Sequence, residues 1–180
     1  MPFPTPLTLP ARHPDSGRVL VLIDTPAGSR NKYKYDPALQ TLSLGRVLPH
    51  GWAFPYDFGS VPGTLADDGD ALDALVVGSP ASFPGCIVTT RLLGVVRASQ
   101  VENRTRMRND RLIACTDTDV SPAVFRSLRQ LGEKRLRAIE LFFETYNRAE
   151  GRAFHTLGRG SAAEALALLE RAIRRFEAGE

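Results

Sequence analysis

A chain of 180 residues with 43% hydrophobic and 24% charged content has the make-up of an ordinary globular protein with one sizeable core, and nothing in it suggests a second domain. The net charge is only +3, and the pI near 9.1 reflects widely spread arginines, so local clusters say more than the total. The two cysteines, Cys86 and Cys115, match no zinc or redox spacing and read as small buried residues in a reducing compartment; with no apolar run of membrane-spanning length and no basic head ahead of one, the expectation is a cytoplasmic protein without a membrane partner.

Residues 1–17, with prolines at 2, 4, 6, 10 and 14, read as an extended N-terminal segment. After Arg18 the apolar runs are short and β-branched, which predicts strands at Val19 to Ile23, Lys32 to Tyr35 and Leu42 to Leu48, with a turn at Asp36-Pro37-Ala38. Pro49 to Gly63, rich in Gly, Pro and aromatics, suits an irregular wall. Further strands follow at Ala74 to Val77, Ile87 to Val96 and Leu112 to Cys115, enough short strands for a small barrel. The period then changes. Leu136, Ile139, Phe142, Phe143 and Tyr146 recur at helical spacing from about Glu133, and Ser161-Ala162-Ala163-Glu164 has the form of a capping box opening a helix with Leu166, Leu169, Ile173 and Phe176 on its apolar stripe. Strands followed by helices indicate an α+β domain over 18–180, with the helices packed on the barrel.

The run Ala66-Asp67-Asp68-Gly69-Asp70-Ala71-Leu72-Asp73-Ala74 carries the chemistry. Asp68, Asp70 and Asp73 repel one another unless a cation or proton offsets them. Hard divalent ions take such oxygen ligands, usually one or two carboxylates with waters and substrate phosphates. A solvated acidic turn is the plainer reading of the same residues. An EF-hand is excluded, because counting from Asp68 puts Asp73 and Ser79 where that loop needs Gly and Glu.

Asp68-Gly69-Asp70-Ala71-Leu72-Asp73 resembles the Asp-Gly-Asp-Pro-x-Asp signature of the soluble family I inorganic pyrophosphatases. The resemblance extends from about Arg18 to Thr116 through Val21 to Ala27, Asn31-Lys32-Tyr33, Phe54 to Gly59, Pro62 to Leu65 and Phe83 to Cys86, and resumes at Phe142-Phe143-Glu144-Thr145-Tyr146. It implies a small OB-like five-stranded β-barrel flanked by two or three C-terminal helices, a homo-oligomer, and Mg²⁺-dependent hydrolysis of pyrophosphate, with Mn²⁺ or Co²⁺ as substitutes. By the same resemblance Asp68 and Asp73 are metal ligands, and Asp70 stands with them at the metal and accepts the proton of the attacking water. Asp24, on a shorter arm than the family's Glu, helps to bind metal. Lys32, Arg46 and Tyr146 hold phosphate, as point charge, fork donor and hydroxyl donor. Such a set suits the reaction, since a polyanion repels the attacking oxygen until cations cover its charge.

The chain also departs from the family. Lys34 stands for a Glu, Phe54 and Phe58 for tyrosines, and Asn147 for a Lys. The family's Asp-x-x-x-x-Asp-x-Lys falls on Gln100 to Leu112, lengthened by about four residues. Aligned from its two ends, this segment puts Gln100 and Asn109 on the two Asp positions and Arg111 on the phosphate-binding Lys. The pocket is then about four charge units more positive than that of a typical member and binds fewer metal ions. Glu102 and Asp110 are the carboxylates left to substitute. Arg97, Arg104, Arg106, Arg108 and Arg111 read either as a solvated loop or as a loop reaching over the mouth.

Two other functions fit the same residues. One is a phosphohydrolase for another phosphoanhydride or phosphoester, with Phe54 and Phe58 stacking on an organic group. The other is a non-catalytic OB-like module binding nucleic acid through Arg97 to Arg111. The acidic turn argues against the second, since it repels phosphate unless metal fills it.

Overall fold

The computed structural model describes residues 9–78, 80–102, 104–118 and 124–179. Its strands are β1 (Val19–Thr25), β2 (Asn31–Asp36), β3 (Thr41–Val47), β4 (Asp57–Ser60), β5 (Asp73–Val77), β6 (Ile87–Glu102), β7 (Thr105–Arg108), β8 (Arg111–Thr116) and β9 (Ala153–Gly160), and its helices are α1 (Leu128–Leu131), α2 (Glu133–Ala149) and α3 (Ala162–Ala178). β1 pairs with β4, β4 with β5, β5 with β8, β8 with β6 and β6 with β1. That circuit is a closed five-stranded, OB-like barrel. Among the described residues, only the β5–β8 pairing is parallel.

Closure removes the sheet edges on which strands pair wrongly. The outer half of β6 runs past the barrel and carries β7 on one side and β9 on the other. β2 and β3 form a separate hairpin. Its turn is fixed locally, because the Asp36 carboxylate accepts the backbone N–H of Ala38 at 2.9 Å and of Leu39 at 3.2 Å, the Asx arrangement that favours Asp at such corners.

Side-chain alternation divides the core in two. Phe58, Leu75, Val77, Val96, Ala98, Ile113 and Cys115 face α1 and α2 with Leu136, Ile139, Phe143 and Tyr146. Val21, Ile23, Ala74, Val76 and Leu112 face α3. The buried stripe of α3 is Ala165, Leu169 and Ala172, while Leu166 and Phe176 stay 43% and 46% exposed. Of the expected stripe, Leu169 is buried and Ile173 packs against the same core. The capping box is present as expected, with the Ser161 hydroxyl accepting from the Glu164 N–H and the Glu164 carboxylate accepting from the Ser161 N–H.

Four other expectations change. Pro49 to Gly63 is not irregular throughout, since Asp57–Ser60 is a buried barrel strand. The stretch Gln100 to Leu112 is not a loop but the β6–β7 hairpin, with Gln100 opposite Met107, followed by β8. Cys115 is buried as expected, whereas Cys86 is only partly so. Of the Pro-rich start, residues 1–8 lie outside the described residues, and Ala11 is buried, its carbonyl accepting the Leu20 N–H at 2.9 Å. Among the described residues, no helix is long and apolar enough to cross a membrane.

Candidate active site

The polar site continues the α2-facing side of the barrel beyond the ends of its strands. On β5 the residues on that face are Asp73, Leu75 and Val77; on β8 they are Arg111, Ile113 and Cys115. Ala74 and Leu112 are partners in the parallel pair, so Asp73 and Arg111 open adjacent strands side by side. Arg111 Nη1 is ion-paired with Asp73 and also donates to the Asn109 amide oxygen. Asn109 in turn donates to Gln100 Oε1 at 2.8 Å.

The acidic turn is held at both ends. The Thr64 hydroxyl donates to the Val61 carbonyl at 2.6 Å and accepts the Leu72 N–H at 3.0 Å. Within the turn, Ala66 N–H donates to the Asp70 carbonyl at 2.8 Å, and Gly69 takes a φ of 84°, a conformation open to glycine. Asp67 is tied to Arg175 on α3 at 2.6 Å. Together these bonds keep the Asp68 side of the turn close to Asp73.

The carboxylates are crowded. Asp24, near the end of β1, is pushed up to about 7, first by burial and then by the charge of Asp73, against the pull of Lys32 and Lys34. Asp68 is raised as well, chiefly by burial and partly by Asp73 and Asp70; the Asp70 N–H and Arg111 act in the opposite direction. Asp70 itself is open to solvent, and its carboxylate lies 3.8 Å from Lys34 Nζ.

Facing this cluster, Lys32 on β2 holds its ammonium 5.5 Å from the Phe58 ring centre and 5.4 Å from that of Tyr146. Arg46 is its cross-strand partner and pairs with Glu150 at 2.9 Å. Arg46, Tyr146 and Glu150 line a pocket of about 280 Å³ with Val47, Leu48, Pro49 and Ala149. The Tyr146 hydroxyl is buried and has no hydrogen-bond partner. Glu150, which the sequence did not single out, has only its position one turn after Tyr146 to signal it.

The structure thus gathers Asp24, Lys32, Asp68, Asp73, Arg111 and Tyr146, with Arg46 behind Tyr146. Phe54 and Phe58 are buried and pack on the rings of α2, so they offer no face for an organic group to stack on. Asn147 is buried and donates to the Phe143 carbonyl at 2.8 Å, a helix bond rather than a site contact. The arginines do not form one loop over the mouth. Arg97 reaches the Arg159 carbonyl and Glu164, and Arg108 closes a two-pronged pair on Asp110. Asp110 is further engaged by the Ala98 N–H at 2.9 Å, and the side chain of Glu102 lies outside the described residues.

Does this site suit a hard cation? Asp24, Asp68 and Asp73 are carboxylates whose mutual repulsion a cation would relieve. The opposite side does not suit one: Gln100 and Asn109 bring no charge, and Arg111 brings the wrong one. Among the described residues, no group of three or more His, Cys, Asp or Glu side chains is arranged around a metal position.

An OB-like barrel with carboxylates and phosphate-sized basic and hydroxyl donors at one end defines a phosphohydrolase class. The sequence matches the inorganic pyrophosphatase family over residues 21–177. It is 34% identical to an inorganic pyrophosphatase of Synechocystis over 94% of this chain and 97% of that protein. The crystal structure of the inorganic pyrophosphatase from Thermus thermophilus superposes with a TM-score of 0.86 at 30% identity, covering 97% of this chain and 99% of that one. That from Helicobacter pylori gives 0.84 at 30% identity, over 94% and 99%. The chain belongs to the inorganic pyrophosphatase family, whose members are metal-dependent enzymes.

Proposed function

We propose that the chain hydrolyses inorganic pyrophosphate to two phosphates with Mg²⁺ as its metal, Mn²⁺ and Co²⁺ being the substitutes to test. The observation that carries this reading is the pair of under-compensated carboxylates, Asp24 and Asp68, crowded against Asp73 and facing a lysine and a buried hydroxyl without an acceptor. Asp24 and Asp68 would hold the metal, while Asp73, the third carboxylate of the cluster, is ion-paired with Arg111. A divalent ion there would offset phosphate charge and lower the pKa of a water.

The remaining residues prepare the substrate. Lys32, wedged between two rings, presents its charge to one phosphate without the freedom of a surface lysine. The Tyr146 hydroxyl gains an acceptor when a phosphate oxygen arrives. Arg46 brings a fork of donors once it releases Glu150. Asp70, open to solvent, takes the proton of the attacking water.

The resemblance also carries a homo-oligomer, supported by exposed Leu44, Val47, Leu141 and Leu157, and a cytoplasmic setting, supported by two unpaired cysteines. Phosphate release from pyrophosphate under titration of Mg²⁺, Mn²⁺ and Co²⁺ tests the activity. Asp70→Asn is expected to lower turnover by about 100-fold or more. Full activity in that variant would remove Asp70 as the base.

A further inference from the structure

The carboxylate at the centre of the acidic crowd is already partnered. We propose that the Arg111 guanidinium is a built-in cation that takes, at Asp73, the place a metal ion would otherwise fill, leaving metal to the Asp24 and Asp68 side. This rests on the metal-dependent reading above and adds to it a reason for a reduced metal complement.

Four observations support it. First, the backbone fixes the contact: Asp73 and Arg111 are the first residues of neighbouring parallel strands, one step before the Ala74–Leu112 pair, so the ion pair needs no long reach. Second, Arg111 is only 7% exposed, and its charge is met by Asp73 together with the Asn109 amide oxygen. A buried cation without such a partner is strongly unfavourable.

Third, the guanidinium sits in an aromatic cage, its carbon 5.5 Å from the Phe154 ring centre, 5.8 Å from Phe143 and 6.0 Å from Phe58. These rings come from β9, α2 and β4, three separate elements. To turn toward a phosphate in the pocket beside Arg46, Arg111 would have to leave all three faces and strip Asp73 of its partner. Fourth, the residues behind it are neutral amides, Asn109 and Gln100, locked to each other at 2.8 Å. They orient an oxygen at the guanidinium but supply no negative charge to attract a second divalent ion.

The arrangement is self-consistent in charge. One carboxylate and one guanidinium cancel, and a divalent cation beside Asp73 would meet a fixed positive charge. Phosphate binding by Arg111 is the competing role, and metal binding measured without substrate separates the two.

The test uses the full chain and Mn²⁺ alone, counted by equilibrium dialysis with electron paramagnetic resonance, with no pyrophosphate present. Arg111→Gln is expected to bind one more Mn²⁺ per chain than the wild type, or to bind Mn²⁺ roughly tenfold more tightly or better, because Asp73 is released. Unchanged or weakened Mn²⁺ binding in that variant would overturn the proposal. Arg111→Lys, which keeps a charge but loses the planar fork, is expected to resemble the wild type.

A second measurement does not depend on how Arg111→Gln folds. In EDTA, Asp73→Asn is expected to melt below the wild type, since it strands the Arg111 charge. If Asp73 were only a ligand in a crowd of like charges, its neutralisation would relieve repulsion and raise the melting temperature; that result would also overturn the proposal. Pyrophosphate hydrolysis by the wild type is followed separately. Failure there with every metal would sink the functional reading, while the Mn²⁺ count and the metal-free melt would still decide the role of Arg111.

Discussion

The Tyr146 hydroxyl shows how a single group separates binding from stability. It is buried and unpartnered in the free protein, so it weakens the fold slightly while waiting for an acceptor. Tyr146→Phe should leave stability unchanged or raise it by up to about 1 kcal/mol, yet raise KM for pyrophosphate by roughly tenfold, a loss near 1.4 kcal/mol of binding. Thermal melts and steady-state kinetics on the same preparation check both halves. A variant that loses stability and keeps KM would show that the hydroxyl serves the core. Asp68 and Asp73 were legible as candidates from their spacing in one short turn, Lys32 and Tyr146 only through the family resemblance. The partners of Arg111 were not. Its cage draws Phe58, Phe143 and Phe154 from distant parts of the chain, and nothing local in the sequence marks them as neighbours.

The elements show where periodicity suffices and where it fails. β1 and β5 are β-branched runs buried on both faces, and α2 repeats its apolar residues at helical spacing, so each could be read directly. β4 is only Asp57–Ser60, built from an acid, an aromatic, a glycine and a serine. What makes it a strand is tertiary: Asp57 is buried and accepts the Ala27 and Ser82 N–H groups at 2.8 and 2.9 Å, and Gly59 runs hard against β1. A Cβ on Gly59 would sit 1.9 Å from the Leu22 carbonyl oxygen. Gly59→Ala should therefore destabilise the protein by about 2 kcal/mol or more, because backbone, not a flexible side chain, must give way; urea unfolding measures it. At the start of α2, Glu133 is lowered to about 2, first by hydrogen bonds from Arg159 and then by those from Arg137, tying the helix to β9. That support is complete above the usual carboxylate value of 4.5 and is lost as pH falls toward 2. Glu133→Gln should flatten the dependence of melting temperature on pH across that window. An unchanged slope would mean that the pair contributes nothing.

At the scale of the whole molecule, the α+β class was legible from the order of strands and helices, while the closed five-stranded barrel was implied by the family resemblance. Nothing local requires β1 to pair with both β4 and β6, and the four extra residues of the arginine segment read as a loop, whereas they extend a hairpin. The parallel β5–β8 pair has a further consequence, for the time at which the site comes into being. It joins segments about 40 residues apart in the chain, with the whole of β6 and β7 between them, and contacts of such separation form late. Asp73 and Arg111 sit at the very start of these two strands, so no partly folded form can own the site before that seam is made. During refolding, far-ultraviolet signal from α2 and α3 should recover first and pyrophosphate hydrolysis only with the slowest phase. Activity that returned together with the helical signal would place the seam earlier.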